Sequence, residues 1–309
     1  MSQSSPTRIL IDTDIGTDVD DALALGLALG SPELDLVAVT TVYGDVDIRT
    51  RMVRKLLNLA GRTSVPVGKG IREPLLRSRP VYWAGHEGEG LLEPADASLS
   101  EDAPHSVDLL IETVLAHPGE VTLVPIGPLT NAAVALTREP SVASKLRGIV
   151  MMGGVVRAAN AVGLGLPWVE HNIRCDPEAA HIVLKCGAPI TMVPLDVTYQ
   201  VTIDRAGLER IRGAGSPLAL AIAGQLARYP RFARTGSTLT HDPLAVAMTI
   251  DRGFCRTVAL NVEVETRGDL TAGATVALTP TPDRPANVEV CVEVDSERFQ
   301  DFLVSRLAR

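Results

Sequence analysis

The sequence is poor in aromatic residues and has no excess of basic ones. Tryptophan, tyrosine and phenylalanine together make up 3% of the chain, so few side chains are available to stack on bases. Lysine and arginine number 29 against 37 aspartates and glutamates, which gives a net charge of −8. Because nucleic-acid binders need a basic surface, both deficits argue against a nucleic-acid partner.

Cysteines and long apolar segments are also scarce. The four cysteines, Cys175, Cys186, Cys255 and Cys291, show no CxxC spacing, which argues against a zinc ribbon or a thioredoxin-type motif. A chain of 309 residues with 46% hydrophobic residues can bury a core without disulfides, so we expect reduced cysteines and a cytoplasmic protein. The stretch ALALGLALG is too short to span a bilayer, and the N-terminus lacks a signal-peptide pattern. We therefore expect no membrane partner.

Short β-branched segments alternate with longer helical ones along the first two thirds of the chain. Such repeated β-then-α units predict an α/β fold, with an open, mostly parallel sheet and helices on both faces. Three strands then follow one another at residues 258–265, 274–278 and 288–294, and they predict a short antiparallel extension near the C-terminus. Because no linker or internal repeat interrupts the pattern, we expect a single domain over residues 1–309.

Two of the predicted helices have clear boundaries. One covers Asp20 to Leu29 and is stopped by Gly30 and Pro32. Another is capped by Ser106 and runs to His117, before Pro118 and Gly119.

Two stretches, residues 72–104 and 153–171, lack a clear helical or strand period. Irregular segments of this length inside a compact domain are usually lids or binding loops. We therefore expect both to border a functional site.

The strongest local pattern is ILIDTDIGTDVDDALAL, in which five aspartates fall within ten residues between a strand and a helix: Asp12, Asp14, Asp18, Asp20 and Asp21. Five carboxylates cannot all ionise side by side at low cost without a compensating cation. Hard oxygen ligands suit Ca²⁺ or Mg²⁺. The loop also follows the first strand of a predicted parallel sheet, where ligands bind. The pattern therefore predicts a metal site.

Three other interpretations of this loop can be compared with the sequence. A solvated acidic turn with aspartate helix caps explains one or two aspartates but not five. An EF-hand starting at Asp12 would need glycine at Thr17 and glutamate at Leu23, so it fails. A phosphatase motif of the DxDx[TV] type has its Thr/Val position at Gly16, with Thr17 one place late. That phosphatase family is the main rival, although its motif is out of register by one residue.

The chain as a whole resembles the inosine-uridine-preferring nucleoside hydrolases. Their N-terminal motif DTDxGxDDA corresponds to DTDIGTDVDDA in this chain, which has two extra residues. The similarity continues in order through TTVYGD, VPVGKG, GHEGEGL, VTLVPIGPLTN, VMMGG, EHNIRCDPEAA, PLDVT, HDPLAVA and GDLTAGATV. It thus spans nearly the whole chain, and it implies a Ca²⁺-dependent enzyme that hydrolyses the N-glycosidic bond of nucleosides to a free base and ribose. Relatives of this kind are commonly homodimers or homotetramers.

The resemblance also implies roles for individual residues. The Ca²⁺ ligands would be the carboxylates of Asp14, Asp21 and Asp242 and the main-chain carbonyl of Ile126. Asp14 would also be the general base that activates water, and His241 would protonate the leaving base. Asp20 would bind the sugar hydroxyls, whereas Asp12 would hold the loop in place without contacting the ion itself.

The remaining predicted contacts are with the substrate. Glu170 and Asn172 match the contacts on the 5′ side of the sugar, with Trp168 beside them. Asp45 falls on the 3′ side, and His86 is a second candidate near the base.

Three departures from the family pattern bear on the substrate. Asp45 and Leu164 stand where relatives carry asparagine, and Glu87 replaces a glycine. Two alternatives therefore stay open: a hydrolase of a modified or non-ribose N-glycoside, and a non-catalytic nucleoside- or sugar-binding relative.

Overall fold

The computed structural model of the chain describes residues 5–309. The strands are β1 (Thr7–Thr13), β2 (Leu34–Thr41), β3 (Val67–Lys69), β4 (Val121–Pro125), β5 (Gly148–Met152), β6 (Ile190–Val193), β7 (Thr202–Asp204), β8 (Ser237–Leu239), β9 (Cys255–Val264), β10 (Thr275–Leu278) and β11 (Val288–Val294). The helices are α1 (Asp20–Leu29), α2 (Val46–Leu59), α3 (Ser106–Ala116), α4 (Thr130–Arg138), α5 (Ser141–Lys145), α6 (His171–Cys175), α7 (Pro177–Leu184), α8 (Leu195–Thr198), α9 (Arg205–Ala214), α10 (Pro217–Arg228), α11 (Pro230–Thr235), α12 (His241–Ile250) and α13 (Ser296–Leu307). Short 3₁₀ helices occur at Pro94–Ser100, Ala159–Ala161 and Arg252–Phe254.

Nine of the strands form one sheet in the order β10-β9-β11-β6-β5-β4-β1-β2-β3. From β11 to β3 every neighbouring pair is parallel, whereas β9 pairs antiparallel with both β11 and β10. The predicted fold class is therefore confirmed, including the antiparallel extension near the C-terminus. A second, two-stranded antiparallel sheet of β7 and β8 was not predicted.

Strand β1 lies inside the sheet, between β2 and β4, and it is buried on both faces. Successive side chains of a strand point to opposite faces, so Ile9 and Ile11 pack in one apolar core while Leu10 packs in the other. Full burial of each such side chain stabilises the fold by roughly 1.5–3 kcal/mol. The two cores hold β1 in place, and with it the acidic loop that follows.

Several helix boundaries differ from the predicted ones. Ser106 was expected to cap α3, but the side chain of His105 accepts the hydrogen bond from the Val107 N–H, and Ser106 Oγ donates to the Thr41 carbonyl. The prediction of Ser106 as the cap is therefore wrong, because its hydroxyl is used to join α3 to β2. Helices α9 to α11 were not predicted, although Pro217 and Pro230 occupy the first-turn positions that favour proline.

Three of the four cysteines are buried, Cys186 is half-buried, and all four are free thiols, as expected. None of the helices within residues 5–309 is long and apolar enough to cross a membrane. The expectation of a single domain over residues 1–309 stays a prediction, and its first four residues lie outside the described ones.

Candidate active site

A cavity of about 660 Å³ opens at the carboxyl edge of the parallel sheet. Its walls come from the loop after β1, from the irregular stretches at 72–104 and 153–171, and from α11 and the start of α12. Nine of the eleven residues predicted for the site line this cavity: Asp14, Asp20, Asp21, His86, Ile126, Glu170, Asn172, His241 and Asp242. Both irregular stretches therefore border the site, as expected.

Three carboxylates form a compact cluster on the cavity wall. Asp20 and Asp21 lie in the first turn of α1, and Asp242 lies in the first turn of α12. One oxygen from each lies within 4.8 Å of the other two, and all three residues are buried. The Oδ2 atom of Asp20 accepts hydrogen bonds from the backbone N–H groups of His241, at 3.0 Å, and Asp242, at 3.2 Å. This contact joins the starts of the two helices.

The electrostatics of the cluster favour a bound cation. Burial, and after it the charges of neighbouring aspartates, raises the pKa of Asp20, Asp21 and Asp242 well above the usual range. Within residues 5–309, no lysine or arginine forms an ion pair with any of them. A set of buried hard oxygens that are not ion-paired to a lysine or arginine fits a divalent cation such as Ca²⁺ or Mg²⁺.

Asp14 lies beside the cluster but outside the group of three. It is 7% exposed, and its charge contributes to the raised pKa of both Asp21 and Asp242. A side chain at Gly127 would meet Asp14 Oδ1 at 2.8 Å, so the absence of a Cβ there allows the end of β4 to approach this carboxylate. Asp14 is therefore held within electrostatic range of the other carboxylates.

Asp12 supports the loop from inside the sheet, where it is fully buried. Its Oδ1 accepts hydrogen bonds from Thr40 Oγ1 at 2.7 Å and from Asn131 Nδ2 at 2.8 Å. Its Oδ2 has no hydrogen-bond partner among the described residues. Burial raises the pKa of Asp12 to about 7, against the lowering effect of those two hydrogen bonds.

Asn172 and Glu170 organise the wall opposite the acidic loop. The amide of Asn172 donates to the carbonyl oxygen of Ile126 at 2.9 Å, which leaves that oxygen a second lone pair. Glu170 caps α6 by accepting from the N–H groups of Asn172 and Ile173, and it also accepts from Gly154 N–H at 3.2 Å. Burial raises the pKa of Glu170 although these bonds oppose the shift. The glutamate thus holds together both ends of the 153–171 stretch.

His241 is partly buried at the start of α12. Its Nδ1 lies 2.7 Å from Thr198 Oγ1, and its ring packs against Tyr199 with centroids 5.7 Å apart. Burial lowers the pKa of His241 to about 4, so the ring is neutral at neutral pH. When the Thr198 hydroxyl donates to Nδ1, the ring proton is carried by Nε2.

His86 and Glu87 connect the 72–104 stretch to the acidic loop. His86 Nε2 lies 3.0 Å from the carbonyl oxygen of Thr17, and Glu87 Oε1 accepts from Thr17 Oγ1 at 2.9 Å. Glu87 also accepts from the backbone N–H groups of Ala84 and Gly85. Burial alone would raise the pKa of Glu87, but these hydrogen bonds hold it below its usual range. The carboxylate of Glu87, which stands where the family pattern has glycine, is therefore hydrogen-bonded to Thr17 of the acidic loop.

Asp45 and Trp168 do not line the cavity. The carboxylate of Asp45 caps α2 by accepting from Asp47 and Ile48 N–H, and it lies 3.6 Å from Arg72. Trp168 is 79% exposed, and the guanidinium of Arg157 lies 4.4 Å from its ring centre. The structure does not bring these two residues together with the other nine.

Several polar residues of the wall are not among the predicted site residues: Tyr82, Tyr199, Tyr229, His171, Arg174, Arg231 and Arg234. The segment RYPRFAR, which alternates basic and aromatic residues shortly before HDP, was the signal that could have identified three of them.

Comparison with known proteins agrees with this geometry. The family model described as inosine-uridine preferring nucleoside hydrolase matches residues 9–301. The chain is 36% identical to the inosine-uridine preferring nucleoside hydrolase of Crithidia fasciculata, over 98% of each chain. It is 38% identical to the pyrimidine-specific ribonucleoside hydrolase of Salmonella arizonae, over 97% of each chain. Among solved structures, it superimposes on a purine-preferring ribonucleoside hydrolase from Gardnerella vaginalis with a TM-score of 0.86 and 31% identity, covering 97% of this chain and 98% of that one.

These matches extend over nearly the whole chain and include its first strand, its acidic loop and its last helices. The chain is therefore a hydrolase that acts on the N-glycosidic bond of nucleosides, and it belongs to the inosine-uridine preferring nucleoside hydrolase family.

Proposed function

We propose that this hydrolase works with one bound Ca²⁺ ion and releases a free base and free ribose. The single observation that carries the cofactor is the buried carboxylate cluster, which forms no ion pair with a lysine or arginine among the described residues. The ligands would be Asp14, Asp21, Asp242 and the main-chain carbonyl of Ile126. Asp20 is not counted as a ligand, because its Oδ2 already accepts hydrogen bonds from two backbone N–H groups of α12. Its role is to accept hydrogen bonds from the sugar hydroxyls.

Bound at these residues, Ca²⁺ would lower the pKa of a water molecule and orient it. Asp14 is the general base, and its carboxylate accepts the proton of the attacking water. The N-glycosidic bond breaks through an oxocarbenium-like sugar, and the surrounding carboxylates stabilise its positive charge. The side chains of Glu170 and Asn172 complete the sugar-facing wall of the cavity.

His241 is proposed to assist the departure of the base through its Nε2 atom. A neutral imidazole can donate a hydrogen bond, but it is a weak acid, and the pKa of His241 is only about 4. Negative charge that develops on the departing base would raise this pKa, so the proton moves late, as the bond breaks. His86, which lies on the same cavity, is the second candidate for this role.

A panel of nucleosides scored by the release of reducing sugar, with Ca²⁺ and with EDTA, tests the proposal. We expect turnover of at least one ribonucleoside and its loss in EDTA. The absence of reducing sugar from every nucleoside would contradict the proposed reaction. Release of inorganic phosphate from phosphate esters would instead favour the phosphatase interpretation.

A second candidate is a modified or non-ribose N-glycoside as substrate. It is favoured by Asp45 and Leu164, which replace the amides expected near the sugar and which both lie outside the cavity lining. Including 2′-deoxy and arabinosyl nucleosides in the panel distinguishes the two candidates, since a preference for ribose would exclude the second. A cytoplasmic location and a homodimer or homotetramer also stay proposals, and sedimentation analysis would test the latter.

A further inference from the structure

The cavity carries opposite charges on different walls. Its acidic side is the aspartate cluster, whereas three arginines line the cavity elsewhere: Arg174 on α6, and Arg231 and Arg234 on α11. A neutral nucleoside offers no formal charge to an arginine. Binding of a neutral nucleoside therefore does not explain why these three arginines line the cavity.

Arg231 and Arg234 are three residues apart on α11, a spacing that places their side chains on the same face of a helix. Both are exposed and both line the cavity. Neither forms an ion pair or a side-chain hydrogen bond with any residue in the part of the chain that the structure describes. Their N–H donors are thus available to a ligand.

Within the described part of the chain, neither of the two arginines forms an ion pair with an aspartate of the acidic loop. The guanidinium whose charge lowers the pKa of Asp21 belongs to Arg49, which is buried and donates to the carbonyl oxygens of Ile15 and Tyr43. On the α11 and α12 side of the cavity, the charge of Arg231 lowers the pKa of His241 and of Tyr229, whereas the charge of Asp18 raises both. Arg231 and the acidic loop therefore act in opposite directions on the same two side chains, and Arg231 has no ion-pair partner among the described residues.

We propose that the preferred substrate is a nucleoside that carries a negatively charged group, and that Arg231 and Arg234 bind this group. The inference rests on the proposed nucleoside hydrolysis and narrows its substrate class. Guanidinium groups match the planar oxygens of carboxylate and phosphate, and such charge-assisted hydrogen bonds are about twice as strong as neutral ones. The aspartate cluster repels an anion, so the charged group must lie on the arginine side.

Two sources can supply this charge: an acidic substituent on the base, or a phosphate on the sugar. Uridine, orotidine and uridine 5′-monophosphate form a matched set, because they share one ring system and differ in the place of the charge. Inosine, xanthosine and inosine 5′-monophosphate form the corresponding purine set. The measurement is kcat/KM for each compound with the Ca²⁺-loaded native enzyme, at low and at high salt.

We expect one anionic member to exceed its neutral parent in kcat/KM by about tenfold or more, with the advantage reduced by salt. In Arg231→Gln and Arg234→Gln, the ratio of anionic to neutral kcat/KM should fall by about tenfold, and Arg231→Lys should restore part of it. The matched control is Arg267→Gln, an exposed arginine away from the cavity, which should leave the ratio unchanged.

The member that shows the effect identifies the source of the charge. If uridine or inosine is hydrolysed at least as well as every anionic partner, and the ratio is unchanged in both glutamine variants, the inference is overturned. In that case the proposed nucleoside hydrolysis still stands. If no member of either set is hydrolysed, and no other nucleoside of the panel is hydrolysed either, the proposed function itself fails.

Discussion

Replacing Asp21 by asparagine should have opposite effects on stability with and without metal. The asparagine amide would keep the shape of the side chain, and its oxygen can still accept from Thr13 Oγ1, which donates to Asp21 Oδ1 in the native protein. The change removes one negative charge from a buried cluster in which three carboxylate oxygens lie within 4.8 Å of one another. Two of the three charge pairs in the cluster disappear with it.

The size of the effect follows from this geometry. At an effective dielectric constant of about 20, two unit charges 4.8 Å apart repel by roughly 3.5 kcal/mol, so with all three carboxylates ionised the loss of two pairs removes about 7 kcal/mol. The raised pKa values of Asp20, Asp21 and Asp242 mean that bound protons already relieve part of this repulsion. We therefore expect the metal-free variant to gain about 1–3 kcal/mol in its free energy of unfolding.

With metal present the order should reverse. A Ca²⁺ concentration about one thousand times the dissociation constant stabilises the native protein by about 4.1 kcal/mol, whereas a variant without a working site gains almost nothing. Urea unfolding in EDTA and in Ca²⁺ measures both effects, and an assay of nucleoside hydrolysis should show loss of activity. Asp102→Asn, at an exposed position without an ion pair to any described residue, is the control.

Two results together would contradict the role of Asp21 as a ligand: lower stability of Asp21→Asn in EDTA, and stabilisation of this variant by Ca²⁺ as large as that of the native protein. That combination would mean that Asp21 acts as a structural hydrogen-bond acceptor for Thr13 and that the ion, where it binds, uses other ligands.

Three further changes are predicted. His241→Ala should lower kcat/KM for inosine by about 10²–10⁴-fold but should matter little for p-nitrophenyl riboside, whose leaving group needs no proton; equal losses would leave His241 a packing role. Asp12 has a folded-state pKa of about 7, so in EDTA native stability should fall as pH rises from the unfolded value toward 7. Urea unfolding at stepped pH should show this slope reduced in Asp12→Asn by about one proton, roughly 1.4 kcal/mol per pH unit, and an unchanged slope would contradict the assignment. Glu87→Ala removes the bonds that hold Thr17, so KM should rise about three- to tenfold while calorimetric Ca²⁺ affinity is retained; an unchanged KM would show that this contact does not shape the site.

Local patterns in the sequence were sufficient to predict the sheet and the acidic loop. The alternation of strands and helices has a period that can be read directly, and α1 begins at Asp20 as predicted because the aspartates of its first turn suit the positive end of a helix. The local sequence also indicated the structural role of Asp45. An aspartate just before a helix usually caps it, and Asp45 does so for α2. The family resemblance favoured a substrate role for Asp45, but the cap explains its carboxylate.

Other features depend on contacts that no local pattern shows. Arg231 and Arg234 line the cavity because α11 lies at its wall, and the other walls come from segments that are far away in the sequence. Trp168 had no pattern to show that it would stack on Arg157 at the surface instead of facing the sugar.

The carboxylate cluster itself requires contacts between distant segments, since 222 positions separate Asp20 from Asp242 along the chain. Like charges do not assemble by themselves, so the fold must supply the force that holds them together. The Oδ2 atom of Asp20 supplies part of it by accepting from two N–H groups at the start of α12. Both α1 and α12 also direct their positive ends at the cluster, and each such helix end stabilises a nearby carboxylate by roughly 0.3–2 kcal/mol. These contributions are smaller than the repulsion among three ionised carboxylates, which is roughly 10 kcal/mol at this spacing. The metal-free cluster must therefore retain protons, and a bound cation must displace them, so the release of protons on Ca²⁺ binding should accompany formation of the active enzyme.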